Sequence, residues 1–270
     1  MSGDVTVLVG SVAGDGSLLR LLRSLPDVPV VVADRTGRGE RASRRLRGDR
    51  LRWLPCPPRT PLAQLRRRAL AAADTSIVAV VEDHSVAPRG WLARLVARLT
   101  GEVVAAAGPV RDLSRTTADA AAFACDYAPL SGSGSPGRLP GMNTAYRADA
   151  LRSASRGTDP DGLWEGATHT RLADHGRFAW APDAPLLHDS RATFATAATQ
   201  RYVQGRLQPP RPPRALLTPA LPLLLSSRTL RATVSRGRLA PHVGLLHLAG
   251  AAGELVGAIA GAGRAAQKLR

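Results

Sequence analysis

The apolar run Ile77-Val78-Ala79-Val80-Val81 ends directly in Glu82-Asp83-His84. Carboxylate oxygens and an imidazole nitrogen in one short turn suit a divalent cation such as Mg2+ or Mn2+, and a cation held there can bridge the two phosphates of a diphosphate. The histidine, which ligates through a neutral imidazole, tilts the set toward softer ions such as Mn2+. Asp34 closes a second apolar run, Val28 to Ala33, in the same manner, and His188 follows the strand-like segment 178–187. Acids and histidines recurring at the ends of apolar runs mark one edge of a sheet as the place to look for a site.

Alternating elements are needed to build that edge. A β-branched run at 5–9 and short segments at 28–33, 51–54, 77–81 and 103–107 predict strands, the continuous apolar ones of the kind found inside parallel sheets. Between them, 17–25 carries leucines at helical spacing, 38–50 is an arginine-rich solvated helix, and 61–73, 88–99 and 118–127 are helical stretches. This order predicts an α/β fold with a mostly parallel, doubly wound, Rossmann-like sheet, whose ligands bind outside the carboxyl ends of the strands. Residues 131–141 (SGSGSPGRLPG) read as a loop, and Pro209-Pro210-Arg211-Pro212-Pro213 as a stiff linker.

Charge divides the chain. Its 270 residues carry 37 Lys+Arg against 21 Asp+Glu, a net +16, and Lys268 is the single lysine. Residues 201–270 hold eleven of the cations and one acid, Glu254, on an apolar background, so most of the excess belongs to the tail. A basic nucleic-acid-binding protein is the first thought at +16, but no nucleic-acid motif is evident and aromatics are not interleaved with the basic residues. Cys56 and Cys125 make neither a disulfide framework nor a zinc pattern. Met1-Ser2-Gly3-Asp4 runs straight into the first strand without the leader of a signal peptide.

In chain order stand VTVLVG, Asp34, Glu82-Asp83-His84 followed by Pro88-Arg89-Gly90-Trp91-Leu92, GMNTAYRADAL at 141–151, Trp164-Glu165 before RLADHG, His188, and QRYVQGR at 200–206. Over about residues 4–208 this order resembles the inverting family 2 glycosyltransferases with the A-type nucleotide-sugar-binding fold, of the membrane-associated bacterial type. The resemblance implies transfer of a sugar from a nucleoside-diphosphate donor to an acceptor hydroxyl with inversion, dependent on Mg2+ or Mn2+. By it, Asp34 would contact the donor's nucleobase and ribose. Glu82, Asp83 and His84 would occupy the place of the family's Asp-x-Asp metal motif, with His188 completing the site. Glu165 would be the general base. Asn143 and Arg147, with Tyr146, would line the donor sugar, and Gln200, Arg201 and Arg206 would bind the diphosphate or the acceptor. Two departures stand out: histidine where the family has its last aspartate, and Gly166 where the family commonly has an acid after the glutamate. They keep a second reading open, a catalytically weakened glycosyltransferase-like protein that binds donor and assists a partner enzyme.

The expected organisation is a catalytic domain over 1–208, a Pro/Arg linker over 209–214, and a basic apolar helical tail over 215–270. Leu239 to Gly263 has the length of a single membrane span, yet Glu254 lies inside it, and an interfacial or re-entrant arrangement fits it as well. The flanking arginines would face an anionic surface, so the tail is expected at the cytoplasmic face of the membrane, where a lipid-linked acceptor would be within reach. Gly253-Glu254-Leu255-Val256-Gly257 also has the small-residue spacing that lets helices pack closely.

Overall fold

The computed structural model describes residues 4–14, 16–127, 139–158, 164–189, 192–207 and 237–268. The linker 209–214 and positions 131–138 of the loop lie outside these. The chain forms two compact units, one of residues 1–113 and 129–189, the other of 114–128 and 190–269.

The first unit is built on a seven-stranded sheet. Its strands are β1 (Val5–Ser11), β2 (Val30–Asp34), β3 (Leu51–Pro55), β4 (Ile77–Glu82), β6 (Val103–Ala107), β8 (Thr144–Arg147) and β9 (Arg177–Trp180), in the order β3-β2-β1-β4-β8-β6-β9. All neighbours are parallel except β8, which runs antiparallel to both β4 and β6. Every residue of β1, β2 and β6 is buried, as expected for strands covered on both faces. Edge strand β3 instead alternates buried and exposed positions and ends on Pro55, which an edge tolerates.

The helices of this unit are α1 (Gly16–Ser24), α2 (Glu40–Arg47), α3 (Leu62–Ala71), α4 (Trp91–Val96), α6 (Ala148–Ser155) and α7 (Trp164–Leu172). Leu65, Ala69 and Leu70 of α3 pack with Leu8, Val31, Val78 and Val80 of the sheet in one core cluster. Burying such aliphatic side chains stabilises by roughly 1.5–3 kcal/mol each. Gly10 in β1 packs closely under α3, where a Cβ would meet Leu62 Cδ1 at 2.8 Å and require that side chain to shift.

A second sheet of three short strands, β5 (Ser85–Val86), β7 (Val110–Asp112) and β10 (Leu186–His188), has the order β5-β10-β7. β10 is antiparallel to β5 and parallel to β7. The mostly parallel α/β sheet and the apolar C-terminal helix agree with the sequence reading. The small sheet and α6 are additions to it, and the strand-like segment 178–187 divides into β9 of the large sheet and β10 of the small one.

The second unit is helical: α5 (Thr117–Asp126), α8 (Phe194–Arg206) and α9 (Ala240–Ala260). Ala121, Ala197, Val243 and Leu246 make its buried cluster. α5 and α8 therefore belong with the C-terminal helix, whereas the sequence boundary at 208 grouped them with the catalytic domain. The segment Gly237–Ala260 is long and apolar enough to cross a membrane, by length and composition.

Candidate functional site

The sheet order around β1 places β2 on one side and β4 on the other, so the chain reverses its winding between β1 and β4. Ligands of open α/β sheets bind at such a reversal, beyond the carboxyl ends of the strands. β4 delivers Glu82 there, and the chain then turns through Asp83 and His84 into β5. Antiparallel pairing sets His188 of β10 opposite Ser85 of β5. The Asp189 N–H donates to the His84 carbonyl at 2.9 Å, and the Leu113 N–H donates to the His188 carbonyl at 3.0 Å. A histidine 104 positions downstream is thereby fixed beside His84.

His84 Nε2 lies 3.0 Å from His188 Nε2 and 3.2 Å from Glu82 Oε2. The two rings meet edge to face, with centroids 4.7 Å apart. One ligand atom from each of Glu82, His84 and His188 lies within 4.8 Å of the other two. Adjacent ligands on an octahedral ion with bonds near 2.1 Å stand about 3 Å apart, so these three side chains fit one divalent cation.

Asp83 has a different place. It is buried, its Oδ2 accepts from the N–H groups of Val12 (2.8 Å) and Ala13 (3.0 Å), and its Oδ1 lies 3.0 Å from His84 Nδ1. This carboxylate fixes the loop after β1 and orients the imidazole, the usual outer partner of a ligating histidine. Of the four expected ligands, three converge and the fourth positions one of them.

The electrostatics follow from the 3.0 Å approach of two imidazoles, whose facing Nε2 atoms cannot both carry a proton. Burial opposes charge on His84, but its hydrogen bonds to Asp83 and Glu82 and the charges of both carboxylates outweigh burial and raise it to about 10. Burial and the neighbouring His84 cation push His188 down to about 3, against a smaller pull from Glu82. Burial likewise opposes ionisation of Glu82, but the His84 hydrogen bond and the charges of His84 and Arg66 outweigh it and bring the carboxyl to about 2. At neutral pH the cluster is an anionic Glu82, a cationic His84 and a neutral His188. A metal ion that takes His84 as a ligand must displace its proton.

The remaining expected residues sit elsewhere. Asp34, at the carboxyl end of β2, is buried and shapes its own turn: Oδ1 accepts from the Thr36 N–H (3.1 Å) and hydroxyl (2.7 Å), and Oδ2 from the Gly37 N–H (2.8 Å). Asn143 is buried at positive φ, which Asn adopts more readily than most residues. Its Oδ1 accepts from Trp91 Nε1 at 2.6 Å, and its Nδ2 donates to the carbonyls of Pro109 (2.9 Å) and Ala184 (3.0 Å). Arg147 pairs with Ile77, at the start of β4, about 16 Å along the strand from Glu82. Its guanidinium donates to the carbonyls of Val103, Leu99 and Gly101. Tyr146 is buried, with its hydroxyl 2.8 Å from His169 Nε2.

Glu165 lies in the first turn of α7, and its side chain is outside the described part of the structure. Gln200, Arg201 and Arg206 are on α8 and have partners within the second unit: Lys268 O for Gln200, Asp126 Oδ1 (2.7 Å) and Gln204 Oε1 for Arg201, and Gly261 O for Arg206.

Sequence reasoning missed two supports of the cluster. Arg66 is buried with a guanidinium nitrogen 3.6 Å from Glu82 Oε1. Its position was legible, because 63, 66, 69 and 70 form the apolar face of α3 and an arginine on that face needs an anion. Asp189, next to His188, is buried in an ion pair with Arg20 of α1, for which the sequence holds no signal.

No protein-family model and no curated protein sequence matches the chain. Solved structures do. A mannosyltransferase from Pyrobaculum calidifontis, in complex with GDP-Man and Mn2+, superposes with a TM-score of 0.61 at 19% identity, over 94% of this chain and 88% of that one. TarS of S. aureus in complex with UDP-GlcNAc superposes with a TM-score of 0.53 at 12% identity, over 94% and 91%. A second structure of S. aureus TarS, of residues 1–349, gives 0.55 at 13% identity, over 94% and 90%. At these identities what is shared is the fold.

Proposed function

We propose that the chain is a metal-dependent, nucleotide-sugar-dependent glycosyltransferase of the inverting family 2 type, with the donor held by the first unit. The observation that carries this reading is the convergence of Glu82, His84 and His188 at the winding reversal of the sheet. GDP-Man with Mn2+ in one structural neighbour and UDP-GlcNAc in another support it. A divalent cation bound there supplies positive charge against the leaving diphosphate. Glu82, His84 and His188 hold that cation, Asp83 and Arg66 set the orientation and charge of the holders, and the turn built by Asp34 faces the nucleoside. Glu165 accepts the proton of the attacking hydroxyl, opposite the leaving group. Two imidazoles and one carboxylate favour Mn2+ over Mg2+. The second unit meets the cytoplasmic face of a membrane and brings the catalytic unit to a lipid-linked acceptor.

The test is a screen of UDP-, GDP- and dTDP-sugars with Mn2+, reading binding, turnover and the anomeric configuration of the product. The expected result is one preferred donor, an inverted product, and loss of both binding and turnover in Glu82→Ala. If no donor binds or turns over and Glu82→Ala and Asp83→Ala change nothing, the reading is wrong. The second reading, donor binding without transfer, is favoured by the tie of cationic His84 to Glu82 and Asp83. Retained donor binding with no turnover in the presence of native membranes would select it.

A further inference from the structure

Helix α9 has two unlike faces. Val243, Leu246, Gly250 and Gly253 are buried, and the glycines are where α8 approaches. A Cβ at Gly253 would meet Tyr202 O at 2.0 Å, one at Gly257 would meet Arg206 O at 2.8 Å, and one at Gly205 would meet Gly250 O at 2.2 Å. No side chain longer than hydrogen fits, so the two helices are locked backbone to backbone. On the other face, Pro241, Leu245, Leu248, Ala252, Leu255 and Ile259 recur at intervals of three or four residues, which makes one stripe about 27 Å long.

Leu245 (53% exposed), Leu248 (62%), Leu255 (54%) and Ile259 (76%) are four of the six exposed large hydrophobic side chains among the described residues. Arg238 precedes the helix and Arg264 and Lys268 follow it, all three exposed. An apolar stripe with cations at both ends is complementary to the surface of an anionic lipid bilayer.

We propose that α9 lies flat in the surface of an anionic bilayer, with this stripe at the acyl boundary and Arg238, Arg264 and Lys268 on the headgroups. This rests on the reading that the second unit meets a membrane and fixes how it does so. By length α9 could equally span. Its packing argues against that, because a span would pull α8 into the hydrocarbon with Arg206 and the Arg201–Asp126 ion pair, and each central charge costs at least about 2.5 kcal/mol. α8, at 13 residues and about 20 Å, is also too short to cross. Cations at both ends suit an in-plane helix, which keeps both ends on one side, better than a span, which places one basic end on each side.

The test uses the full chain with phosphatidylcholine vesicles, with and without phosphatidylglycerol. Co-sedimentation should require the anionic lipid and weaken in high salt. Leu248→Glu should lower partitioning about tenfold or more. Because that variant could misfold, Arg264→Gln with Lys268→Gln, which leaves the apolar contacts intact, should independently remove the preference for anionic lipid.

Orientation is read from Leu245→Trp, Ala252→Trp and Ile259→Trp by quenching with brominated lipids, relative to the parent chain. The proposal expects one shared shallow depth, about 5–10 Å into the boundary. Deep quenching at 252 with shallow quenching at 245 and 259 would mean a span and overturn it. Absence of vesicle binding together with a dimer that Leu248→Glu dissociates would assign the stripe to a second copy and also overturn it. Donor binding by Leu248→Glu, measured without vesicles, should equal that of the parent, so failure here is distinguishable from failure of the glycosyltransferase reading.

Discussion

Strands β4 and β8 lie side by side and antiparallel, both end in polar residues, and both belong to segments expected to meet the donor. At the carboxyl end of β4, His84 lies 3.0 Å from His188 and 3.2 Å from Glu82, and the ligand atoms of all three lie within 4.8 Å of one another. At the ends of β8, Asn143 and Arg147 turn to backbone carbonyls and to Trp91. Polar residues at the ends of two neighbouring strands thus divide into members of a cluster whose spacing fits a cation and groups that hold the scaffold. The difference lies in what backbone is near. β4 opens on the winding reversal, whereas β8 enters between two strands where Pro109 and Ala184 present carbonyls that must be satisfied.

Three experiments would break or sharpen that contrast. The largest effect belongs to β4 and β10: Glu82→Ala and His188→Ala should each weaken Mn2+ binding by more than about 100-fold, beyond what loss of an outer partner costs, and Glu82→Ala should also lower thermal stability, because it leaves buried Arg66 without its carboxylate. Calorimetric titration and melting curves read the two quantities separately. Next, Asn143→Ala should cost about 2–4 kcal/mol of stability, since it leaves Trp91 Nε1 and two carbonyls buried without partners at a positive-φ position, while Mn2+ affinity of the folded fraction stays unchanged. An Asn143 variant with normal melting and lost metal binding would reverse the roles assigned to the two strands.

The smallest effect is on pH dependence without metal. His84, raised from its ordinary 6.5 to about 10, contributes stability that is full below pH 6.5 and is lost as pH rises toward 10. His188, lowered to about 3, contributes stability that is full above pH 6.5 and is lost as pH falls toward 3. Glu82, lowered from 4.5 to about 2, adds to the acid-side loss below pH 4.5. The metal-free protein should therefore be most stable near pH 6.5, and His188→Ala should soften the acid-side decline. Melting temperatures across pH check this, and a stability profile flat through pH 6.5 would count against the shared proton.

Much of the fold was legible because long apolar runs ending in polar residues record parallel strands covered on both faces. Four such runs match β1, β2, β4 and β6 within a few residues, and the mixed segment 51–54 matches edge strand β3. The small sheet was not legible, since β5 has two residues and β10 three, too few for any periodicity to register. Its pairing is what brings His188 to His84, so residue order suggested the histidine and only the β5–β10 register explains it. Asp83 and Asn143 were legible as polar residues at the right end or turn, but their partners, the N–H groups of Val12 and Ala13 and the carbonyls of Pro109 and Ala184, are backbone and leave no mark in side-chain sequence. For the tail, the Gly253-to-Gly257 spacing announced close helix packing, and α8 is the partner it meets.

The central claim is that Glu82, His84 and His188 hold one divalent cation while Asp83 stands behind them. Anomalous scattering at the manganese edge, from crystals grown with Mn2+, tests it most directly. The account predicts a single peak within bonding distance of Glu82 Oε2, His84 Nε2 and His188 Nε2, with Asp83 still bonded to the N–H groups of Val12 and Ala13. A peak on Asp83 or Asp34 instead, or no peak while His84 and His188 remain hydrogen-bonded to each other, would contradict it.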